Sequence, residues 1–163
     1  MKYLFLIGIL AFSLLTWTSC DKPPIYDDTP TIEWVGFSED TIRQFNGIVT
    51  FEIGFTDGDG DLGRDNDTTS HIIIVDTRRT PNDTLFYQIP TIEPQGVVSG
   101  ISGQIDVTMS QLCCINPSNP LILCQDVADF YDPVVFKIRI KDIAGRWSNE
   151  IETAPLYIQC FND

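Results

Sequence analysis

The sequence predicts an all-β protein, an antiparallel β-sandwich of about seven short strands. Several segments alternate apolar with polar residues, which is the two-residue period of a half-buried strand, and Gly, Pro, Asn and Asp cluster between them. No long window keeps the period of an amphipathic helix. Because 43% of the 163 residues are hydrophobic, the chain can bury a core as one domain.

Residues 1–19 are predicted to be a signal peptide. Lys2 supplies a positive start, and residues 4–15 form an almost unbroken apolar run that is too short for a comfortable transmembrane helix. Cys20 follows directly after the small residue Ser19, which resembles the lipobox of bacterial lipoproteins. The resemblance implies that Cys20 begins the mature chain and carries the acyl chains of a membrane anchor. The alternative is an ordinary cleaved signal beside an unrelated cysteine.

Residues 20–30 are predicted to be an extended, lipidated tether. The stretch from 21 to 30 holds three prolines and three aspartates with little to bury. The expected location is the cell envelope, with the lipid in the outer membrane and both the periplasmic and the surface face open.

Residues 31–163 are predicted to form the sandwich. Residues 31–37 are β-branched and aromatic, and residues 48–56 alternate cleanly, with one face made of Val49, Phe51, Ile53 and Phe55. Further strands are predicted at residues 71–77, 84–89, 101–109, 134–141 and 150–159. The continuous apolar run in 71–77 indicates a central strand, whereas Pro155 favours an edge position for the last strand.

The turn between the last two predicted strands reads Asp142-Ile143-Ala144-Gly145-Arg146-Trp147-Ser148-Asn149. It resembles the D-x-A-G-(N/R)-x-S-N turn in the closing hairpin of bacterial Ig-like and fibronectin-III-like domains. Together with the Cys20 lipobox and the D-G-D-G-D-L-G run at 57–63, it makes the chain similar to Bacteroidota lipoproteins that carry such a domain. The resemblance implies an Ig-like sandwich, and it implies no activity, because none is assigned to that family.

Asp57, Asp59 and Asp61 alternate with glycines directly after the second predicted strand. The glycines let the backbone curl so that the carboxylates converge, and converging carboxylates repel one another unless a cation neutralises them. Calcium, which takes six to eight oxygen ligands, suits such a loop. The later ligands of an EF-hand are absent from the sequence that follows. The alternative is a plain turn in which each Asp caps its own backbone.

Further ligands must come from elsewhere, because three carboxylates are too few for a tight site. The second and sixth predicted strands run in the same direction, so the loops that follow them lie at the same end of an Ig-like sandwich. This places Asp142 beside the acidic loop, and Asp65 and Asp67 are additional candidates. The sequence thus predicts a structural calcium site with the weak affinity of extracellular modules, on the order of 10⁻⁴–10⁻³ M, built from Asp57, Asp59, Asp61 and Asp142.

Four cysteines, Cys113, Cys114, Cys124 and Cys160, remain in the predicted domain, and in an exported protein they predict two disulfides. A bond between the adjacent Cys113 and Cys114 would need a strained ring. One of them is therefore expected to pair with Cys124 and the other with Cys160, with both arrangements open. The alternative is a zinc site of four thiolates, although the spacing lacks two C-x-x-C knuckles.

The net charge is −13, and loss of Lys2 with the signal leaves 9 basic against 23 acidic residues, or −14. Such a surface argues against nucleic acid as a partner. The only histidine, His71, has no G-x-S-x-G motif to accompany it, so no enzyme is expected. The leading hypothesis is a non-catalytic interaction or accessory module of an envelope protein complex. The alternatives are a glycan-binding lipoprotein that stacks sugars on Trp147 and a small hydrolase without a recognisable motif.

Overall fold

A computed structural model of the chain describes residues 24–66, 69, 71–78, 81–93, 100–116, 118–119, 124 and 130–161. Cys20, the predicted signal peptide and Asp67 lie outside these residues. The described residues contain strands, turns and irregular segments but no helix. Accordingly, nothing in this part of the chain is a helical segment with the length and apolarity of a membrane span.

The described residues form ten strands: β1 (Thr31–Phe37), β2 (Thr41–Arg43), β3 (Ile48–Asp57), β4 (Ile72–Asp76), β5 (Asp83–Tyr87), β6 (Ile101–Ser110), β7 (Tyr131–Val134), β8 (Phe136–Ile140), β9 (Ile151–Glu152) and β10 (Leu156–Gln159). Only Val135 separates β7 from β8, and residues 153–155 separate β9 from β10. β9 and β10 are therefore one predicted strand with an interruption, and β8 corresponds to the strand predicted at 134–141. β2 and β7 are additions to the predicted set, since only Val134 of β7 falls in a predicted strand.

The strands form two facing layers. One layer has the order β1-β3-β6, and the other has the order β5-β4-β8-β9, with all neighbours antiparallel. The second layer continues through β7 and β10 into a short sheet of order β2-β10-β7. This is the strand order of an Ig-like sandwich, so the predicted fold class is confirmed.

The core lies where the alternation of the sequence places it. The predicted inward residues of β3 and of the β7–β8 strand are all buried, and the rings of Phe51 and Phe136 meet edge to face across the two layers with centroids 5.1 Å apart. Trp34 joins this aromatic cluster at 4.6 Å from Phe37. Burial of apolar surface between the layers is the main favourable term of folding.

The predicted edge position of the last strand is right for β9 and wrong for β10. β9 borders its sheet, but β10 lies between β7 and β2, the latter pairing with it in parallel register. Pro155 falls in the gap between β9 and β10, where its missing N–H interrupts no ladder. The short strand β2 thus pairs with the edge of β10 that Pro155 had suggested would be unpaired.

The two ends of the sandwich carry different features. In the β3–β6 register Asp57 lies opposite Ile101, and Ile48 lies opposite Ser110. The acidic loop therefore occupies one end, and the chain that follows β6 at the other end carries the cysteines.

Disulfides join Cys113 to Cys124 and Cys114 to Cys160, with Cα atoms 4.7 and 5.6 Å apart. Two bonds are as predicted, and the open pairing is resolved. The thiolates that a zinc site would need are consumed by these bonds.

A buried cluster of charged side chains lies beside the disulfide-bonded segment. Arg78 donates to both carboxylate oxygens of Asp76 on β4, to Asp132 on β7 at 2.7 Å, and to the carbonyl of Cys113 at 3.2 Å. The two aspartates are each 7% exposed. One guanidinium therefore joins two strands to the disulfide-bonded segment.

Candidate metal centre

The acidic loop leaves β3 at Asp57 and is closed by its own hydrogen bond. The backbone N–H of Asp61 donates to Asp57 Oδ2 at 2.9 Å, and Gly60 adopts a φ of 72°, which glycine tolerates at no steric cost. Leu62 is fully buried and anchors the loop in the core. The loop is thus held in shape by packing as well as by its carboxylates.

The turn after β8 packs against this loop, as the directions of the strands predict. The N–H of Ile143 donates to the carbonyl of Asp61 at 3.0 Å, and the N–H of Ala144 donates to Asp61 Oδ2 at 3.0 Å. These bonds bring the Asp142 side chain to the loop. Asp57, Asp59, Asp61 and Asp142 each offer one carboxylate oxygen, and these four atoms lie within 4.8 Å of one another.

The two carboxylate oxygens of each loop aspartate have different surroundings. The Oδ2 atoms of Asp57, Asp59 and Asp61 accept hydrogen bonds from Asp61 N–H, Arg146 and Ala144 N–H, respectively. The Oδ1 atom of each is buried and has no hydrogen-bond partner among the described residues. Asp57 itself is 0% exposed, so bulk solvent does not reach its free oxygen. Buried polar groups are normally satisfied, and a cluster with three such oxygens could bind a metal ion.

The electrostatics of the cluster agree with this geometry. Burial, followed by repulsion from Asp59 and Asp61, raises the pKa of Asp57 from 3.8 to about 6. Burial and repulsion from Asp142 and Asp59 also raise the pKa of Asp61. In both residues the charged form is disfavoured first because the carboxyl is buried and then because other carboxylates lie close to it.

Arg146 is the one cation in direct contact with the cluster within the described residues, and the sequence reasoning missed its role. Its Nη1 atom donates to Asp59 Oδ2 at 2.6 Å, to Asp142 Oδ2 at 3.0 Å and to the carbonyl of Asp28 at 2.8 Å. Its backbone N–H also donates to Asp142 Oδ1 at 2.6 Å. The available signal was a cation four residues after Asp142 in a turn that was predicted to face an acidic loop.

The segment before β1 lies on the same loop. The N–H of Gly58 donates to the carbonyl of Asp27 at 2.7 Å, and Tyr26 bonds through its hydroxyl to Ser102 on β6 at 3.2 Å. A Cβ atom at Gly58 would stand 2.5 Å from the carbonyl oxygen of Tyr26, so only glycine permits this approach. The last residues of the predicted tether are therefore docked on the sandwich.

Other predicted candidates lie apart from the cluster. Asp65 is exposed and exchanges two hydrogen bonds with Thr91, so it is not a ligand here. Trp147 is half-buried, and the charged groups of Arg139 and Lys141 lie over its ring at 5.1 and 5.5 Å. A sugar that stacked on a ring face covered by these cations would have to displace them. His71 is 1% exposed, and its Nδ1 accepts from the N–H of Ile89 at 3.4 Å.

Comparison with protein-family models, with curated protein sequences and with solved structures finds no match for this chain. The resemblance to Bacteroidota lipoproteins therefore stays a prediction.

The chemistry of the site follows from its donors. The four side chains supply oxygen ligands only, which suits hard cations such as calcium and magnesium better than zinc.

Proposed function

We propose that this chain is a non-catalytic, lipid-anchored protein of the bacterial cell envelope, whose sandwich is an interaction module stabilised by a calcium ion. The calcium part rests on one observation, the three buried and unpartnered Oδ1 atoms of Asp57, Asp59 and Asp61. An unsatisfied buried polar group costs about 1–3 kcal/mol, and more when it is charged. A bound dication would remove that cost together with the mutual repulsion of the carboxylates.

Calcium is favoured over magnesium by the shape of the site. Magnesium demands a near-ideal octahedron and releases its water reluctantly, whereas calcium accepts irregular sets of carboxylate and carbonyl oxygens. The ligands here come from a curled loop and a turn on a different strand. Water would complete the coordination shell on the exposed side of Asp59 and Asp61.

The calcium site is tested by thermal unfolding with and without the ion. With a dissociation constant on the order of 10⁻⁴ M, about 10 mM calcium stabilises the folded state by about 2.7 kcal/mol. This corresponds to a rise of roughly 10 °C in Tm for a domain of this size. Asp59→Asn should abolish the rise, and the matched variant Asp106→Asn, on the exposed face of β6, should retain it. No rise in the wild-type protein, or an equal rise in Asp59→Asn, would overturn the assignment.

The anchor is supported by the Cys20 lipobox and by the position of the tether directly before β1. Cells grown with an alkyne-tagged fatty acid should label the wild-type protein and leave Cys20→Ser unlabelled. Wild-type protein should also partition into the detergent phase of a membrane extract. Labelling of Cys20→Ser would refute the anchor without affecting the calcium site.

The interaction role is supported by the absence of a recognisable catalytic motif in the sequence and by the acidic surface. Gentle detergent extraction followed by affinity purification should recover a membrane protein together with this chain. Retention on a polysaccharide gel that is lost in Trp147→Ala would instead favour the glycan-binding alternative, and turnover of a glycoside or ester would favour the hydrolase.

A further inference from the structure

We propose that Arg146 is a built-in counter-ion that borders the metal centre in the cation-free protein, where it holds Asp59 and Asp142, and that it is displaced when calcium binds. The inference rests on the proposed calcium site and names how that site is regulated. Arg146 Nη1 stands 2.6, 2.8 and 3.0 Å from oxygens of Asp59, Asp28 and Asp142. Three oxygens from three separate segments thus converge on one positive atom, as they would on an ion.

The guanidinium and the ion compete for one oxygen of Asp142. Asp142 Oδ1 accepts the backbone N–H of Arg146 at 2.6 Å, and Oδ2 accepts the Nη1 atom of the same residue at 3.0 Å. Only the second of these bonds can be released by a side-chain movement, so Oδ2 is the oxygen for which the ion and the guanidinium compete. Calcium binds oxygen at about 2.3–2.6 Å. An ion on Oδ2 would therefore lie within roughly 5.5 Å of Nη1, where two positive charges repel strongly.

The two partners differ in their freedom to move. The side chain of Asp142 is 0% exposed and is fixed by the turn, whereas that of Arg146 is 37% exposed and borders water. A guanidinium that swings into solvent is rehydrated, but a buried carboxylate cannot leave without losing all of its partners. The displaced group is therefore Arg146.

Displacement also changes the contact with the segment before β1. The side chain of Arg146 donates a hydrogen bond to the carbonyl of Asp28. Backbone carbonyl oxygens are also common ligands of calcium. When the side chain of Arg146 leaves, the Asp28 carbonyl loses this donor. Occupancy of the site is thereby communicated to the chain that leads to the predicted anchor.

The first test compares calcium affinities by calorimetric titration. Arg146→Gln removes the competitor and should lower the calcium Kd by about tenfold or more, since the removed charge acts at contact distance. Arg139→Gln is the matched control, because it removes an equal charge from the strand before the turn, where the guanidinium lies over Trp147. Equal Kd values for Arg146→Gln and wild type, or equal tightening in both variants, would overturn the inference.

The second test needs no variant. Phenylglyoxal modification of wild-type Arg146, followed by peptide mass mapping, should accelerate severalfold in calcium because the guanidinium is then free of its carboxylate partners. Modification of Arg139 provides the internal reference. An unchanged rate at Arg146 while calcium still raises Tm would overturn the displacement alone. Absence of calcium binding in both wild type and Arg146→Gln would overturn the calcium site and the displacement together.

Discussion

Replacement of Asp57 by asparagine tests whether the cluster confines unfavourable charge in the cation-free protein. Burial and the neighbouring carboxylates raise the pKa of Asp57 from 3.8 to about 6. The folded state therefore holds this proton more tightly than the unfolded chain does. It follows that the contribution of Asp57 to stability is fully present below pH 3.8 and is lost as the pH rises through about 6. A shift of this size is worth about 3 kcal/mol.

Asparagine has nearly the same shape, stays neutral, and keeps an oxygen that can accept the N–H of Asp61. In metal-free buffer at pH 8, the free energy of unfolding of Asp57→Asn is therefore expected to exceed that of the wild type by about 3 kcal/mol. This is roughly 10 °C in Tm. The difference should close as the pH falls to 4, where the wild-type carboxyl is protonated. Calcium at pH 8 should reverse the order, because the variant has lost one anionic ligand.

The measurement is urea unfolding of both proteins between pH 4 and pH 8, with and without calcium. Taking the difference between the two proteins cancels the titration of shared groups that lie away from the acidic cluster. Asp106→Asn, which removes an exposed carboxylate from β6, should follow the wild-type curve. A constant difference between Asp57→Asn and wild type over the whole pH range would refute the reasoning.

Three further predictions concern the frame that holds the site. Arg78→Ala should lower the free energy of unfolding by about 3–5 kcal/mol, since two buried carboxylates lose their partner; Arg78→Lys should restore little in urea unfolding, because an ammonium lacks the bidentate fork. Replacing both cysteines of the Cys114–Cys160 bond, which are 46 residues apart, by serine should lower the free energy of unfolding by about 4 kcal/mol. The same replacement at Cys113–Cys124, which are 11 residues apart, should lower it by about 3 kcal/mol. Equal losses for the two bonds would contradict the loop-entropy argument. Phe51→Ala should cost about 3–5 kcal/mol by the same assay, and a loss below about 1 kcal/mol would contradict its place in the core.

Structural features that follow from a repeating pattern in the sequence could be predicted from the sequence alone. The alternation in β3 reports which side chains face inward, because successive side chains of a strand point to opposite faces. The parallel directions of β3 and β8 then follow from the order of strands in a sandwich, and they bring Asp142 to the acidic loop. The acidic cluster was thus predictable from a sequence period and a strand topology.

Contacts without a period could not be read in this way. The bond from Gly58 to Asp27 joins a loop to a segment that has no regular structure, and nothing in either segment specifies the other. The pairing of β2 with β10 joins residues 41–43 to 157–159 in parallel, which a proline-containing strand gave no reason to expect. The contacts of Arg146 were not predicted because its partners come from three separate segments of the chain.

The docking of Tyr26 and Asp27 on the acidic loop limits the distance between the sandwich and the predicted anchor. If Cys20 carries the lipid, six residues, 20–25, precede the docked segment, and a chain of six residues spans at most about 20 Å. The loop end would then lie within that distance of the bilayer. The disulfide end lies at the other end of β3, about 33 Å away for ten residues. The cysteine-linked end would therefore be the end more open to a partner that approaches from beyond the membrane surface, and the acidic cluster would lie on the anchored side.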